Sequence, residues 1–260
     1  MSINHKLNRY KTLLREFKNW PQFLLFKLSG GKSFNFKMRI GLEIDVPKKM
    51  LPPFKKSFFD GVYFKGFPSK GLLSEAPVVI DIGANVGFFG LYILSKYPKA
   101  KVLGFEPMPF NYEQLQKYQK SYPEFDWINY NKAVADHADG LTLYSSTLDG
   151  FSTMAGLFAS DGRGKPIQVE TLTLEKVMND AKIEAIDLLK LDCEGSEYSI
   201  LYSLTDDILS KIKFMSIETH KGNTSEETHD AMLKYLKEKD WNYSEERHGD
   251  GYGYIWAWHQ

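Results

Sequence analysis

The sequence predicts an α/β protein built on a doubly wound, mostly parallel, seven-stranded Rossmann-like sheet, preceded by a helical, basic N-terminal extension. From residue 78 onward, short apolar runs typical of buried strands alternate with segments of helical periodicity. The end of the chain adds two alternating runs around a glycine-containing turn, which is typical of a strand pair. Ligands of such sheets bind outside the carboxyl ends of the parallel strands, so we expect the functional residues there.

Five apolar runs predict the parallel strands, and the tail predicts the remaining pair. The five runs are VVID (78–81), KVLGFEP (101–107), WINYNKAV (127–134), IDLLKLD (186–192) and KFMSIETH (213–220). The pair lies in WNYSEERHGDGYGYIWAWH (241–259). Helices are predicted near 87–96, 109–121, 175–180, 196–204 and 225–239. A hairpin from LTLYSS to KPIQVETLTL is predicted after the third strand, and its Ser152 and Thr153 are expected either to roof a pocket or to lie in an ordinary polar loop.

Residues 1–70 are predicted to be a basic extension, helical and then irregular, ahead of a domain at 71–260. They contain 15 Lys and Arg against 4 Asp and Glu, a net charge of +11. The whole chain contains 33 basic and 33 acidic residues. Residues 71–260 therefore contain 18 basic and 29 acidic residues, a net charge of −11. Apolar positions recur at helical spacing between residues 4 and 28, and Pro21 is expected to interrupt that helix. The charge favours an anionic partner or surface for this segment, with a solvated basic helix as the alternative.

The composition is that of an ordinary globular protein, with 43% hydrophobic and 25% charged residues in 260. The single cysteine, Cys193, excludes a disulfide within the chain and favours a reducing compartment. No early apolar run is long enough for a signal peptide or a membrane span. We therefore expect a cytoplasmic protein, peripheral to a membrane if its basic segment binds one. No nucleic-acid partner is expected, and the sequence leaves the oligomeric state open.

The turn after the first strand predicts a cofactor site. A dinucleotide site would read G-x-G-x-x-G, with backbone amides on a pyrophosphate. Here Asp81 ends the strand, Gly83 and Gly87 follow, and Asn85 stands where a middle glycine would be expected. A carboxylate there would repel a pyrophosphate and attract an ammonium group, while the following helix N-terminus can receive a carboxylate. S-adenosylmethionine has both groups, so it is the predicted ligand. A tight turn without a ligand is the alternative.

Two further strand ends extend the predicted cofactor site. Glu106 closes the second strand just before Pro107, where an acid accepts hydrogen bonds from both hydroxyls of a ribose. Asn131 and Ala133 follow the third strand, where a polar side chain or a backbone amide can meet an adenine edge. Asn is also common in turns for purely local reasons, so this second indication is weaker.

The motifs taken together resemble the FkbM-type family of S-adenosylmethionine-dependent methyltransferases. The matching stretches are VVIDIGANVGFFG, GFEPMPFNYEQL, NKAV, VETLTLEKV, IDLLKLDCEGSE and SIETH, which span about residues 78–220. The resemblance implies a class I methyltransferase sheet and methylation of a hydroxyl oxygen. Such enzymes often act on sugars of glycans or glycolipids and sometimes on secondary metabolites. Two other classes stay open, an NAD(P)-dependent oxidoreductase, which the missing glycine disfavours, and a non-catalytic methyltransferase-like binding protein.

Catalytic candidates are expected at the ends of the fourth and fifth strands, which should be adjacent. They are Lys190, Asp192, Glu194, Glu218 and His220. In one interpretation His220 or Asp192 is the general base, and the ring of His220 is oriented by Asp192, Glu194 or Glu218. In another, Asp192, Glu218 and His220 bind a divalent ion such as Mg²⁺ or Mn²⁺. In a third, Lys190 and the carboxylates form a structural ion-pair cluster.

Overall fold

The computed structural model describes residues 3–68, 73–145, 155–156, 165–249 and 251–259. The chain divides into two compact units, Met1–Val62 and Tyr63–Gln260, which are described separately below as the first and the second unit. Ser152 and Thr153, for which a role in roofing a pocket was considered, lie outside the described residues. Within the described ranges, no helix combines the length and the apolar character that crossing a bilayer requires.

The first unit contains three helices and a strand pair. They are α1 (Ile3–Glu16), α2 (Trp20–Leu28), β1 (Ser33–Lys37), β2 (Glu43–Pro47) and α3 (Leu51–Phe58), with a 3₁₀ turn at Lys48–Met50. The helical segment is interrupted at residues 17–19, which precede Pro21. Pro21 instead lies in the first turn of α2, where a missing N–H costs no helical hydrogen bond. The predicted interruption is therefore present, but proline does not cause it.

Phenylalanines form the core of the first unit. The rings of Phe17, Phe23, Phe36 and Phe54 are almost entirely buried. Phe36 stacks on Phe54 with 4.3 Å between ring centroids, and it meets Phe17 edge to face at 5.2 Å. Such aromatic contacts add to the free energy gained from the buried apolar area. They hold α1, α2 and α3 against the two antiparallel strands.

The second unit contains the large sheet and its flanking helices. Its strands are β3 (Val78–Ile82), β4 (Lys101–Phe105), β5 (Asp126–Tyr130), β6 (Ala133–Val134), β7 (Leu141–Ser145), β8 (Ala155–Gly156), β9 (Lys165–Val169), β10 (Thr171–Leu172), β11 (Ile186–Leu191), β12 (Ile212–Thr219), β13 (Asn242–Arg247) and β14 (Gly253–Trp258). Its helices are α4 (Phe88–Lys96), α5 (Pro109–Ser121), α6 (Leu174–Asp180), α7 (Glu197–Tyr202), α8 (Asp206–Ser210) and α9 (His229–Glu238).

The strand order of the main sheet is β13-β14-β12-β11-β3-β4-β5. The five strands from β12 to β5 are parallel, and β14 runs antiparallel to both of its neighbours. This confirms the predicted fold, a doubly wound seven-stranded sheet. From β3 the chain builds outward through β4 and β5, and it then returns to build β11 and β12 on the other side. The crevice between the carboxyl ends of β3 and β11 is therefore the switch point, where ligands of such sheets bind.

The central strands are apolar because both of their faces are covered. Residues 79–82 of β3 are all buried, and Ile186, Leu188, Leu189 and Leu191 of β11 are inaccessible to solvent. The predicted hairpin is also present, with β7 antiparallel to β9. The last helix begins at His229, later than predicted, because the side chain of Thr228 accepts a hydrogen bond from the backbone N–H of Ala231 and caps the helix there.

Candidate active site

The turn after β3 folds back onto the neighbouring strand. The backbone N–H groups of Gly83 and Ala84 both donate to the carbonyl oxygen of Phe105, at 3.0 and 2.9 Å. Gly83 has φ +77°, and a Cβ atom there would lie 1.9 Å from the carbonyl oxygen of Asp192. Only glycine permits the ends of β3 and β11 to approach this closely. Gly87, with φ +87°, is the residue immediately before α4.

Glu106 is buried where this turn meets the start of α5. Its Oε2 accepts a hydrogen bond from the backbone N–H of Asn85 at 2.8 Å, and its Oε1 accepts one from Met108 at 2.9 Å. Burial raises the pKa of Glu106 to about 7, against the opposing effect of these backbone hydrogen bonds. The backbone of Asn85 is in the left-handed region, with φ +52°, a conformation that Asn tolerates better than most residues. A carboxylate oxygen can accept more than one hydrogen bond, so Glu106 can also accept from ribose hydroxyls.

Asn131 and Ala133 support this region through their own internal hydrogen bonds. The side-chain amide of Asn131 donates to the carbonyl oxygens of Glu106 and Pro107, both at 2.9 Å. The backbone N–H of Ala133 donates to the carbonyl of Glu170, also at 2.9 Å. The Asn131 amide therefore fixes the segment that carries Glu106, and the Ala133 amide joins the end of the third strand to Glu170.

Asp81 and Lys190 form a buried ion pair between β3 and β11. Their side chains are 1% and 2% exposed, and Lys190 Nζ lies 2.8 Å from Asp81 Oδ1. The same ammonium group donates to the carbonyl of Gly83 at 2.7 Å. It also lies 5.4 Å from the ring centroid of Tyr63 and 5.7 Å from that of Phe89. The pair therefore fixes the two strand ends on which the site is built.

Asp192 follows β11 directly and is anchored at three points. Its backbone N–H donates to the carbonyl of Ile82 at 3.1 Å, and its Oδ2 accepts a hydrogen bond from the hydroxyl of Tyr63 at 2.8 Å. The same Oδ2 lies 3.9 Å from Lys190 Nζ. The side chain is nevertheless 17% exposed, so Asp192 is oriented by the protein and still accessible from the crevice.

Glu197 holds both the backbone and the ring of His220. Its Oε1 accepts the backbone N–H of His220 at 2.7 Å and lies 3.2 Å from Nδ1 of the ring. Burial lowers the pKa of His220, but the hydrogen bond to Glu197 and the charges of Glu197, Glu194 and Asp192 outweigh it and raise the pKa to about 10. Glu197 closes the motif KLDCEGSE. It is the residue that hydrogen-bonds the ring, a role that the sequence assigned to Asp192, Glu194 or Glu218.

Glu194 occupies a backbone conformation that costs free energy. Its φ is +54°, in the left-handed region that non-glycine residues adopt at a cost of about 1–2 kcal/mol. Its Oε2 lies 3.7 Å from Nε2 of His220. Strained residues of this kind concentrate at functional sites, so the position of Glu194 beside the imidazole favours a functional role.

Asp192, Glu218 and His220 could together hold a metal ion. One potential ligand atom from each residue lies within 4.8 Å of the other two. Glu218 Oε1 accepts a hydrogen bond from the hydroxyl of Tyr254 at 3.1 Å. Since Nδ1 of His220 is engaged by Glu197, Nε2 is the ring nitrogen suited to a metal, as in the carboxylate–histidine–metal arrangement of many metal sites.

Tyr252 places an exposed aromatic ring beside the imidazole. Its side chain is 48% exposed, and its ring centroid lies 6.0 Å from that of His220, edge to face. The antiparallel register of β12 and β14 pairs Thr219 with Gly253 and so brings the two rings together. Thr219 also donates to the carbonyl of Gly253 at 3.2 Å and lies 2.7 Å from Nδ1 of His229. These contacts fix the segment that carries Tyr252.

The structure brings the candidates at the ends of β11 and β12 together, as the adjacency of these strands predicts. Sequence patterns indicate no role for Tyr63. They place Glu197 among the acids at the end of the fourth strand without a specific role, and they favour a core face of an edge hairpin over a sugar-stacking platform for Tyr252. Glu197 was visible as the last residue of a quoted motif. Tyr252, for which the alternating pattern favours a core position, is 48% exposed, and Tyr63 precedes every matching motif. Only the three-dimensional structure shows that Tyr63 contacts Asp192 and Lys190.

Comparison with known proteins gives the family. The model of the methyltransferase FkbM domain matches residues 81–245, well over half of the chain. The fold resembles the crystal structure of methyltransferase FkbM from Methylobacillus flagellatus, with a TM-score of 0.52 and 13% identity, covering 98% of this chain and 59% of that one.

Three proteins with sequences similar to this chain illustrate the range of the family. The 2-O-methyltransferase NoeI of Sinorhizobium fredii is 27% identical over 156 residues, which are 55% of this chain and 63% of NoeI. The hexuronic acid methyltransferase AglP of Haloferax volcanii is 26% identical over 159 residues, 58% of this chain and 60% of AglP. The AMB antimetabolite synthetase AmbE of Pseudomonas aeruginosa is 26% identical over 204 residues, 64% of this chain and 9% of AmbE. The chain thus spans less than two thirds of the length of each of these three relatives. It belongs to the FkbM methyltransferase family.

Proposed function

We propose that this member of the FkbM methyltransferase family transfers the methyl group of S-adenosylmethionine to a hydroxyl oxygen, and that the acceptor is a sugar. The observation that carries the proposal is the imidazole of His220, which Glu197 holds beside Asp192 and Glu218 at the carboxyl ends of β11 and β12. The names of two relatives, a 2-O-methyltransferase and a hexuronic acid methyltransferase, support the same chemistry.

The residues at the switch point suit this cofactor. Glu106 supplies acceptor oxygens for two ribose hydroxyls, and the glycine turn after β3 lets the ends of β3 and β11 approach closely at the crevice. Asp192 and the neighbouring carboxylates provide negative charge for the cationic methionine end. When bound, the cofactor supplies a methyl group on a positively charged sulfur, which becomes neutral as its bond to carbon breaks and the new carbon–oxygen bond forms.

His220 is the residue to which we assign the proton of the acceptor hydroxyl. Nδ1 is engaged by Glu197, so Nε2 is the atom that accepts the proton. With a pKa of about 10, however, the ring is protonated at neutral pH in the protein alone. Any cation placed among Asp192, Glu194 and Glu218 offsets the carboxylate charges and lowers that pKa. Cofactor binding is therefore expected to release a proton and to convert His220 into a base.

Tyr252 supports a sugar as the acceptor. A half-exposed ring beside the base offers an apolar face against which a sugar ring can pack, while its hydroxyl offers a hydrogen bond. Tyr252→Ala should then raise the KM for the acceptor and leave cofactor affinity unchanged. Tyr243→Ala is the matched control, since Tyr243 is also an exposed tyrosine on the main sheet and lies on β13. An equal effect of both substitutions would speak against the assignment.

A divalent ion is the second candidate for activating the hydroxyl, and the triad of Asp192, Glu218 and His220 favours it. Oxygen ligands with one imidazole suit Mg²⁺ or Mn²⁺. Chelation separates the two mechanisms. If His220 is the base, methyl-transfer activity persists in EDTA. If a metal ion activates the hydroxyl, EDTA abolishes the activity and added Mg²⁺ or Mn²⁺ restores it. Mutation alone cannot distinguish them, since they use the same side chains.

Mass spectrometry of the glycans and glycolipids of the host, with and without the protein, tests the function itself. The proposal expects one sugar species to gain the mass of a CH₂ group only when the protein is present. A gain confined to a secondary metabolite would show that the acceptor class is different. Cofactor binding without turnover on any acceptor would instead favour a non-catalytic binding protein.

A further inference from the structure

The helices of the first unit expose apolar side chains in an ordered pattern. On α1, Leu7, Tyr10 and Leu14 are 52%, 45% and 46% exposed. Their spacing of three and four residues places them in one stripe along the helix. The buried contacts of the same helix are made by a different residue, Leu13, which is 2% exposed. The stripe is therefore additional to the apolar side that α1 uses for its core.

The second helix extends this exposed surface. Leu25 and Leu28, one turn apart on α2, are 68% and 88% exposed. Lys27, on the same helix, has its ammonium group 5.1 Å from the ring centroid of Tyr10 on α1. This contact places α2 beside α1. We call the exposed apolar side chains of the two helices, Leu7, Tyr10, Leu14, Leu25 and Leu28, the basic apolar face.

The exposed charge of the unit that carries the basic apolar face is mostly positive. Among the side chains described in residues 7–62, the exposed charged ones are mostly cationic. The exposed cations are Lys11, Arg15, Lys18, Lys27, Lys32, Lys37, Arg39, Lys48 and Lys49, and the exposed acids are Glu43 and Asp45. Lys55 gives a local measure of this charge, since burial and then the neighbouring charges of Lys27 and Arg9 lower its pKa.

We propose that the basic apolar face docks onto a membrane surface rich in anionic lipids. An exposed apolar patch by itself would suit any apolar partner, and positive charge by itself would suit any polyanion. Leucines that project from two helices and are flanked by Lys and Arg suit the boundary between acyl chains and anionic headgroups, which meets both requirements. The leucines enter that boundary, and the surrounding cations lie against lipid phosphates. The proposal is independent of the methyl-transfer chemistry.

Vesicle flotation of the full chain tests the proposal. The probes are vesicles of phosphatidylcholine alone and vesicles that also contain phosphatidylglycerol. The chain should float with the anionic vesicles and not with the neutral ones, and its binding should weaken at high salt as the charges are screened. The double variant L25S/L28S should lose roughly tenfold or more in vesicle affinity, because two apolar side chains no longer enter the bilayer. Lys27→Glu should weaken binding at low salt.

Two controls test whether the loss of vesicle binding is specific to the basic apolar face. Leu25 and Leu28 are exposed, so L25S/L28S should keep the thermal unfolding midpoint of the unmodified chain. Tyr243→Ser removes an exposed ring of the second unit and should leave flotation unchanged. The proposal is overturned if the unmodified chain does not float, if it floats equally with neutral vesicles, or if L25S/L28S floats as well as the unmodified chain. A change in oligomeric mass of L25S/L28S with unchanged flotation would identify the face as a contact between two copies instead.

Discussion

One carboxylate oxygen of Glu197 lies 2.7 Å from the backbone nitrogen of His220 and 3.2 Å from Nδ1 of its ring. Glu197 is fully buried, so this contact fixes the position of the imidazole and keeps a proton on Nδ1. A histidine held in this way is stabilised in its charged form. The contact between Glu197 and His220 therefore determines the pH at which the imidazole loses its proton.

The imidazole of His220 should titrate far above its ordinary pKa. Burial lowers the pKa, but the neighbouring carboxylates raise it to about 10 in the protein alone. NMR titration should show this value falling when the cationic S-adenosylmethionine is added, and falling less with the uncharged sulfur of S-adenosylhomocysteine. The exposed His137 serves as the internal control, which neither ligand should shift. Equal effects of the two ligands on His220 would show that the sulfonium charge does not reach the ring.

Replacing His220 should impair the chemical step alone. His220→Gln removes the base, so turnover should drop by about 10²–10⁴-fold. Calorimetry should show a cofactor affinity at least as high as that of the unmodified enzyme, because a protonated ring no longer opposes the cationic cofactor. In the unmodified enzyme the rate should rise with pH as the imidazole loses its proton, because only the neutral ring accepts one. His137→Gln should have the activity of the unmodified enzyme. Full activity of His220→Gln would rule out His220 as the base.

Lys190 and Asp81 should prove to be structural partners. Lys190→Met leaves Asp81 buried without its counter-charge, which should cost about 3–5 kcal/mol of unfolding free energy in a denaturant titration. The double variant Asp81→Asn with Lys190→Met removes both charges and should recover much of that loss. If Lys190→Met instead keeps its stability and loses only turnover, Lys190 has the catalytic role considered for it from the sequence.

Glu106 should make cofactor binding depend on pH. Its pKa is raised to about 7 by burial, and only the ionised carboxylate accepts hydrogen bonds at both oxygens. As pH falls below that value, the Kd for S-adenosylmethionine should therefore rise by up to about tenfold per pH unit. Glu106→Gln should bind more weakly, by about 1–3 kcal/mol, and should lose this pH dependence. An unchanged pH profile in Glu106→Gln would assign the titration to another group.

Tyr63 should act on the site through Asp192. Tyr63→Phe removes the hydroxyl that donates to Asp192 Oδ2 and keeps the ring that packs against Phe89 and Lys190. We expect turnover to fall about tenfold, while the free energy of unfolding changes by about 1 kcal/mol. The control is Tyr235→Phe, which also removes one hydroxyl hydrogen bond, to the carbonyl of Leu201. Similar losses of activity in the two variants would indicate a general effect of stability.

Much of the fold could be predicted because the sequence patterns that specify it involve residues close together in the chain. Apolar runs that end in Asp81, Glu106 and Asp192 mark buried parallel strands, and the glycines after Asp81 mark a turn that a side chain would block. The sequence predicts a helix break at Pro21, whereas the break lies at residues 17–19, because proline is disruptive inside a helix but tolerated in its first turn, where Pro21 lies.

The partners within the site depend on contacts between distant parts of the chain. Sequence shows that Lys190 is close to acids, but it cannot show that Asp81, 109 residues away, is the acid it contacts. The hydrogen bond from Tyr63 to Asp192 spans 129 residues and has no local pattern. Glu197 and His220 are joined only because α7 begins beside the end of β12. Such relationships follow from strand order, which a single sequence specifies only loosely.

The position that receives the methyl group can be measured by NMR. The purified protein is incubated with S-adenosylmethionine labelled with ¹³C at its methyl group and with the sugar acceptor found by mass spectrometry. We expect the labelled methyl to correlate through oxygen with a sugar ring carbon, and we expect His220→Gln to produce almost none of this product. A label on nitrogen, on carbon or in a carboxylate ester, or equal product from His220→Gln, would contradict it.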